Sequence, residues 1–201
     1  MDDVDDGPST PEVLPRSERP TPYIMTTSTR KKRKVIVVSH SHLRATEGPV
    51  CQTDPPLREV CCLPGAWVKD ISRKVPTLVQ PSDYYPLLLF HEGGGEAATR
   101  SPRVIKTDFR ALERFVRESG AQVIFSSLLP VAGSDNGRNR QAQSINMWLH
   151  GRCHHHSLGF FDNGMAYTAP GLLVSDGTHL SRGGKRVFAH ELAGLIDKAL
   201  N

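Results

Sequence analysis

The chain has 201 residues, of which 38% are apolar and 6% aromatic, and it carries a formal net charge of +4. That length suits one α/β domain with a proper core and is too short for two, while the modest apolar content implies that part of the chain stays outside the core. The mild positive charge permits contact with nucleic acid without demanding it, and no stretch approaches the roughly 20 apolar residues of a membrane span.

Met1 to Thr29 is rich in Asp, Pro, Ser and Thr and has no periodic apolar pattern, so it is expected to be disordered. Its acidic start, MDDVDD, is not a signal peptide, and a soluble, intracellular chain, cytoplasmic or nuclear, is expected. The arm, residues 1–33, ends in a basic run that continues into Lys34: Arg30, Lys31, Lys32, Arg33 and Lys34. Five consecutive cations fit a nuclear-import or nucleic-acid patch. They fit equally a solvated charge run that leads into the first strand.

From residue 34 to 201 the chain reads as one domain. KVIVVS, Lys34 to Ser39, is a buried strand. EVCCLPG is a second short strand that ends at Pro64-Gly65. Val68, Ile71, Val75 and Leu78 have helical spacing. The third strand, YPLLLFH, is closed by Gly93-Gly94-Gly95. Val104, Ile105, Phe109, Leu112, Phe115 and Val116 mark an amphipathic helix that stops at Gly120. AQVIFSSLLP is a fourth strand, and Asn139 to His150 a helix with Ile145, Trp148 and Leu149 on one face. LGFFD is a short fifth strand. A last helix follows Gly184, with Val187, Phe188, Leu192, Leu195, Ile196 and Leu200 as its stripe. Continuously apolar strands separated by helices predict a doubly wound, flavodoxin-like, five-stranded parallel sheet with helices on both faces. Function in such sheets sits at the carboxyl ends of the strands.

The four cysteines, Cys51, Cys61, Cys62 and Cys153, form no CxxC and are expected to be reduced, buried thiols. His40 and His42 make an H-x-H pair, and Cys153 to His156 read CHHH, yet neither has the spacing of a four-ligand zinc site. The last turn of a helix suits CHHH through the helix dipole, so no metal is expected.

At the predicted strand ends stand Ser39-His40-Ser41-His42, Gly65, His91 to Glu96, and the loop DGTHLS, Asp176 to Ser181. Asp176 and His179 are three apart, with Gly177 between them to allow a tight turn. One imidazole can act as base there while the carboxylate holds its tautomer, with a serine of the first strand–helix loop as nucleophile. The alternative is purely structural, with Asp176 capping a turn and Thr178 or Ser181 capping the helix.

These blocks resemble the SGNH/GDSL hydrolase superfamily. Ser39-His40-Ser41 stands at its Gly-Asp-Ser block, Gly65 at its second-block glycine, Gly93 to Glu96 at its Gly-x-Asn-Asp block, and Asp176 to His179 at its Asp-x-x-His block. REVCCLPGA, DYYPLLLFH, GAQVIFSSLLPV and LSRGGKRVFAHELAGLIDKALN further resemble the esterase-like domain in the first open reading frame of vertebrate LINE retrotransposons of the chicken-repeat clade. The resemblance runs roughly from Lys34 to Asn201. It implies an esterase fold, Ser41 as nucleophile, His179 as base, Asp176 as its orienting partner, and an oxyanion hole from Ser41, Gly65 and Gly95. The substrate would be a small acyl ester or lipid, with no cofactor.

The pattern is broken in two blocks. The family's oxyanion Asn is Gly95 here, and losing one such donor costs on the order of 10²–10³ in rate. The family's Gly and Asp of the first block are Ser39 and His40. The expectation is therefore a weakened or lost esterase. The alternative is a catalytically silent, retrotransposon-derived protein that binds RNA or a protein partner through the basic arm.

Overall fold

The computed structural model describes residues 30–40, 43–44, 46–92, 95–129, 136–163, 169–177 and 179–201. The arm expected to be disordered, residues 1–29, lies outside the described residues, as do Ser41, His42 and Thr178. The chain divides into Met1–Arg30 and Lys31–Asn201, and the architecture below is that of the second unit.

Five parallel strands form one sheet in the order β2-β1-β3-β4-β5: β1 (Val35–Ser39), β2 (Arg58–Cys62), β3 (Leu87–His91), β4 (Gln122–Ser126) and β5 (Gly159–Phe161). The central strands, VIVVS and LLLFH, are buried along their whole length. A strand covered on both faces has no solvent side, so its apolar run is continuous rather than alternating. Side chains still alternate between two cores. Ile36, Val38, Leu88, Phe90, Val123 and Phe125 pack with the buried residues of α2 (Val68–Leu78), α4 (Pro102–Glu118) and α5 (Asn136–His155). Val35, Val37, Leu87, Leu89 and Ile124 pack with Val50 of α1 (Glu47–Cys51) and with Phe188, Leu192 and Ile196 of α6 (Arg182–Leu200). The predicted doubly wound sheet is the observed one.

Several element edges differ from the sequence expectation. α5 begins at Asn136 and runs to His155, which puts Cys153 to His155 in its last turn. α6 begins at Arg182, because the Ser181 hydroxyl accepts the Gly184 N–H and caps it; Gly184 is an interior residue. Val104, Phe115 and Val187 have the spacing of the apolar stripes but are exposed. Two five-residue helices, α1 and α3 (Gly95–Thr99), are too short to show a period.

The basic run does not stand away from the sheet. Arg33 donates to the Tyr85 carbonyl at 2.7 Å and to Gln122 Oε1 at 2.6 Å, and its guanidinium lies 4.1 Å over the Tyr85 ring. Lys31 lies 4.6 Å over the Tyr84 ring, and Lys32 reaches Asp54 at 3.3 Å. Lys31 to Arg33, taken from the sequence as the end of a free arm, are thus docked at the strands' amino ends. No helix among the described residues is long and apolar enough to cross a membrane.

Candidate active site

The carboxyl ends of the strands are aligned. Ser39 stands in register with Cys62 on one side and His91 on the other, and Ser126 with Phe161. The backbone continues these pairings one step further. The Leu63 N–H donates to the Ser39 carbonyl at 2.8 Å, and the Ser127 N–H to the Phe161 carbonyl at 2.9 Å. The segment that leads into Ser41 is therefore fixed from both sides up to His40.

The Asp176–His179 turn is built from short local bonds. Gly177, at φ +69°, takes the left-handed conformation this turn needs, and its N–H donates to the Val174 carbonyl at 2.9 Å. Val174 in turn donates to the His179 carbonyl at 2.9 Å, and Leu173 pairs with Leu180 in an antiparallel bridge. The Asp176 carboxylate bonds twice. Oδ1 accepts the His179 backbone N–H at 3.1 Å, and Oδ2 lies 2.7 Å from His179 Nδ1. Asp176 thus caps the turn and orients the imidazole, and Ser181 caps α6. The carboxylate engages Nδ1 of the ring. Both side chains are about half exposed, at 49% and 50%.

His40 links this turn to the first block. Burial lowers its pKa from the ordinary 6.5, and the nearby charge of His179 lowers it further. Lys185, on the first turn of α6, donates to the Arg44 carbonyl at 3.0 Å and ties the same loop to the same helix.

The second and third blocks also meet. Gly65 is exposed in the turn after β2, and Gly95 is exposed as the first residue of α3. Glu96, at the family's Asp position, is buried, and its Oε2 accepts the Val68 N–H at the start of α2 at 3.1 Å. Burial raises its pKa, opposed by the Val68 bond and by Arg100. Arg100 pairs with Glu96, reaches Asp108 at 2.8 Å and lies 4.4 Å over the Trp67 ring. The Glu96–Arg100 pair thus clamps the Gly65 turn against the Gly95 helix.

Beneath the strand ends runs a buried polar layer, of which the sequence reading picked out His91 but not Ser126, Ser127 or Asn163. His91 Nδ1 lies 2.8 Å from Ser126 Oγ, Asn163 Nδ2 donates to the same hydroxyl, and the Asn163 N–H donates to Ser127 Oγ at 2.8 Å. The His91 ring packs at 4.4 Å from Phe188 of α6. The available signal was polar residues closing otherwise apolar strands, in LLLFH and VIFSS. No group of three or more His, Cys, Asp or Glu among the described residues has the arrangement of a metal site. All four cysteines are free thiols with raised pKa values, and burial pushes that of Cys153 up to about 12.

No protein-family model matches the sequence, and no curated protein matches it. Solved structures do. A GDSL-like lipase from Bacteroides thetaiotaomicron aligns with a TM-score of 0.68 at 14% identity, over 84% of this chain and 89% of its own. The lipase/acylhydrolase from Enterococcus faecalis aligns with a TM-score of 0.67 at 17% identity, over 85% and 98%. The esterase domain of the ORF1 protein from the zebrafish ZfL2-1 retrotransposon is 27% identical over 82% of this chain and 99% of its own, with a TM-score of 0.46. At the identities of the first two, the likeness is one of fold. The fold is the one this chain shares with these two lipolytic enzymes.

Proposed function

We propose that this chain is a serine esterase of the SGNH type, derived from a retrotransposon protein, that hydrolyses acyl esters slowly. The observation that carries the reading is the 2.7 Å contact between Asp176 and His179 Nδ1, in the turn that leads into α6. In the reaction His179 Nε2 takes the Ser41 proton as the oxygen attacks the ester carbonyl. Collapse of the tetrahedral intermediate expels the alcohol, which receives that proton, and leaves an acyl-Ser41 ester. Water, deprotonated by His179, then releases the acid. Asp176 fixes the imidazole tautomer and stabilises the imidazolium formed in each half. No metal or cofactor takes part.

The oxyanion would be met by the backbone N–H groups of Ser41 and Gly65. Gly95 adds no side-chain donor, and this is the reason for slow turnover. The Glu96–Val68 clamp keeps the remaining elements in place. The alternative, a silent protein that binds RNA through the basic run, draws less support, since Lys31 and Arg33 are already engaged by Tyr84 and Tyr85.

The test is labelling with a fluorophosphonate probe, alongside turnover of a short-chain p-nitrophenyl ester. Parent protein is expected to be labelled and to turn over, and Ser41→Ala to do neither. Asp176→Asn should lose about 10²–10⁴ in kcat with its fold intact, as a mis-set tautomer does. Equal turnover by parent and Ser41→Ala ends the catalytic reading.

A further inference from the structure

Away from the strand ends, the seam between α4 and α5 concentrates positive charge around a cavity of about 500 Å³. It is lined by Arg110, Glu113, Arg114, Arg117, Glu118 and Arg152. Four guanidiniums face two carboxylates there, so the lining has an excess of two positive charges. Glu113 is buried and already committed. Its Oε2 receives Arg152 at 2.7 Å, and its Oε1 lies 3.2 Å from His156 and 3.8 Å from Arg117. Arg114 forms no ion pair among the described residues. Arg110 makes none either, and its guanidinium rests 5.2 Å over the Trp148 ring. The same indole has Lys106 at 5.6 Å and Arg152 at 5.5 Å.

Three cations around one ring repel one another within a Debye length, roughly 8–10 Å. One buried carboxylate offsets one of them. The charge is also arrayed. Arg103, Lys106, Arg110, Arg114 and Arg117 recur at steps of three or four residues, so they run in file along one flank of α4 for about 21 Å. α5 faces them with no Asp or Glu from Asn136 to His155. A file of this kind does not balance a point anion. It matches a chain of phosphates.

We infer that the α4–α5 seam is a binding surface for a single nucleic-acid strand, with the backbone phosphates lying along the α4 file and the cavity at Arg110 and Arg114 taking one of them. A bilayer surface is less well matched. Membrane-binding faces set apolar side chains into the lipid beside their cations. The exposed apolar residues of α4, Val104 and Phe115, fall roughly 120–140° around the helix from the file. The surface is distinct from the docked basic run and from the Asp176–His179 pair.

The experiment uses the full chain and a 5′-labelled 20-nucleotide poly(U) RNA, with fluorescence anisotropy read from 50 to 200 mM salt. Arg110→Gln with Arg114→Gln is expected to weaken binding about tenfold. It should also flatten the slope of log K against log salt by about 1.4, which is two phosphate contacts on a single strand. Lys31→Gln with Lys32→Gln should leave both quantities nearly as in the parent. Arg114→Gln alone disturbs no ion pair, so it carries the test if the double variant fails to fold, with an expected slope change of about 0.7. The inference is overturned by an absence of RNA binding, by unchanged affinity and slope in the seam variants, or by loss confined to the Lys31/Lys32 variant. Binding to phosphatidylserine vesicles without binding to RNA overturns it as well. Ester hydrolysis, measured in parallel, should not change in the seam variants, so this result and the esterase result stand or fall separately.

Discussion

At Gly95 a Cβ would meet no atom within 4 Å, the residue is exposed, and it opens α3. An asparagine therefore fits without displacing a neighbour and restores the donor that the family carries in its third block. Gly95→Asn is expected to raise kcat for a p-nitrophenyl ester by roughly 10–100-fold, part of what one oxyanion donor is worth. A folded variant with no gain would mean that the missing donor is not what limits turnover. His40 bears on pH instead. Its pKa in the fold lies below 6.5 because of burial first and the charge of His179 second. The folded state thus binds fewer protons than the unfolded chain near pH 6. Stability from this group is full above pH 6.5 and is lost as pH falls through the lowered folded value. His40→Gln should show a smaller fall in urea midpoint between pH 7.5 and 5 than the parent does; equal falls would place the acid sensitivity elsewhere.

The site's most constrained element is the junction of the Asp176–His179 loop with α6. A Cβ on Gly184 would lie 2.1 Å from the Leu172 carbonyl oxygen, a backbone atom that has no rotamer to yield. Leu172 also accepts the Ser181 N–H at 2.8 Å, so the helix start and the loop are pressed together. Gly184→Ala should cost more than 2 kcal/mol by overpacking, and it should displace His179, lowering activity beyond any loss of stability. Ser181→Ala, which removes only the cap, should cost about 1 kcal/mol. If calorimetry ranks Ser181→Ala as the worse of the two, the close approach at Gly184 is not what sets the loop. This junction also shows where the sequence was readable. DGTHLS is local, and a three-residue spacing with a glycine is enough to foresee the Asp–His contact. The need for glycine at 184 comes from a chain segment 12 residues earlier packing against it, which no local pattern carries. The Glu96–Val68 clamp and the His91–Ser126–Asn163 layer were hidden for the same reason, since each joins residues 28 to 37 positions apart.

For the whole molecule, the parallel, doubly covered sheet followed from strand character, because buried parallel strands must be apolar throughout and the connecting helices must cover both faces. What the composition of a segment does not reveal is whether its charges are spent on the fold. RKKRK looks the same as a free arm or as a docked one. In the structure Arg33 bridges the segment before β3 and the first residue of β4, through the Tyr85 carbonyl and Gln122, and stacks on Tyr85. It thereby joins the amino end of β1 to its next two neighbours in the sheet. Hydrogen bonds from a charged group contribute about 1.5–3 kcal/mol, and the stacked cation adds roughly 0.5–1 kcal/mol. Lys32, by contrast, makes an exposed pair with Asp54 of little worth. Arg33→Ala is therefore expected to lower the unfolding free energy in urea by about 2 kcal/mol, and Lys32→Ala by less than about 0.5 kcal/mol. Arg33→Lys should recover only part of the loss, since an ammonium cannot span two acceptors with the geometry of a planar fork. Were all three variants to melt like the parent, the basic run would have to be returned to the arm, and its five charges would again be available for a partner.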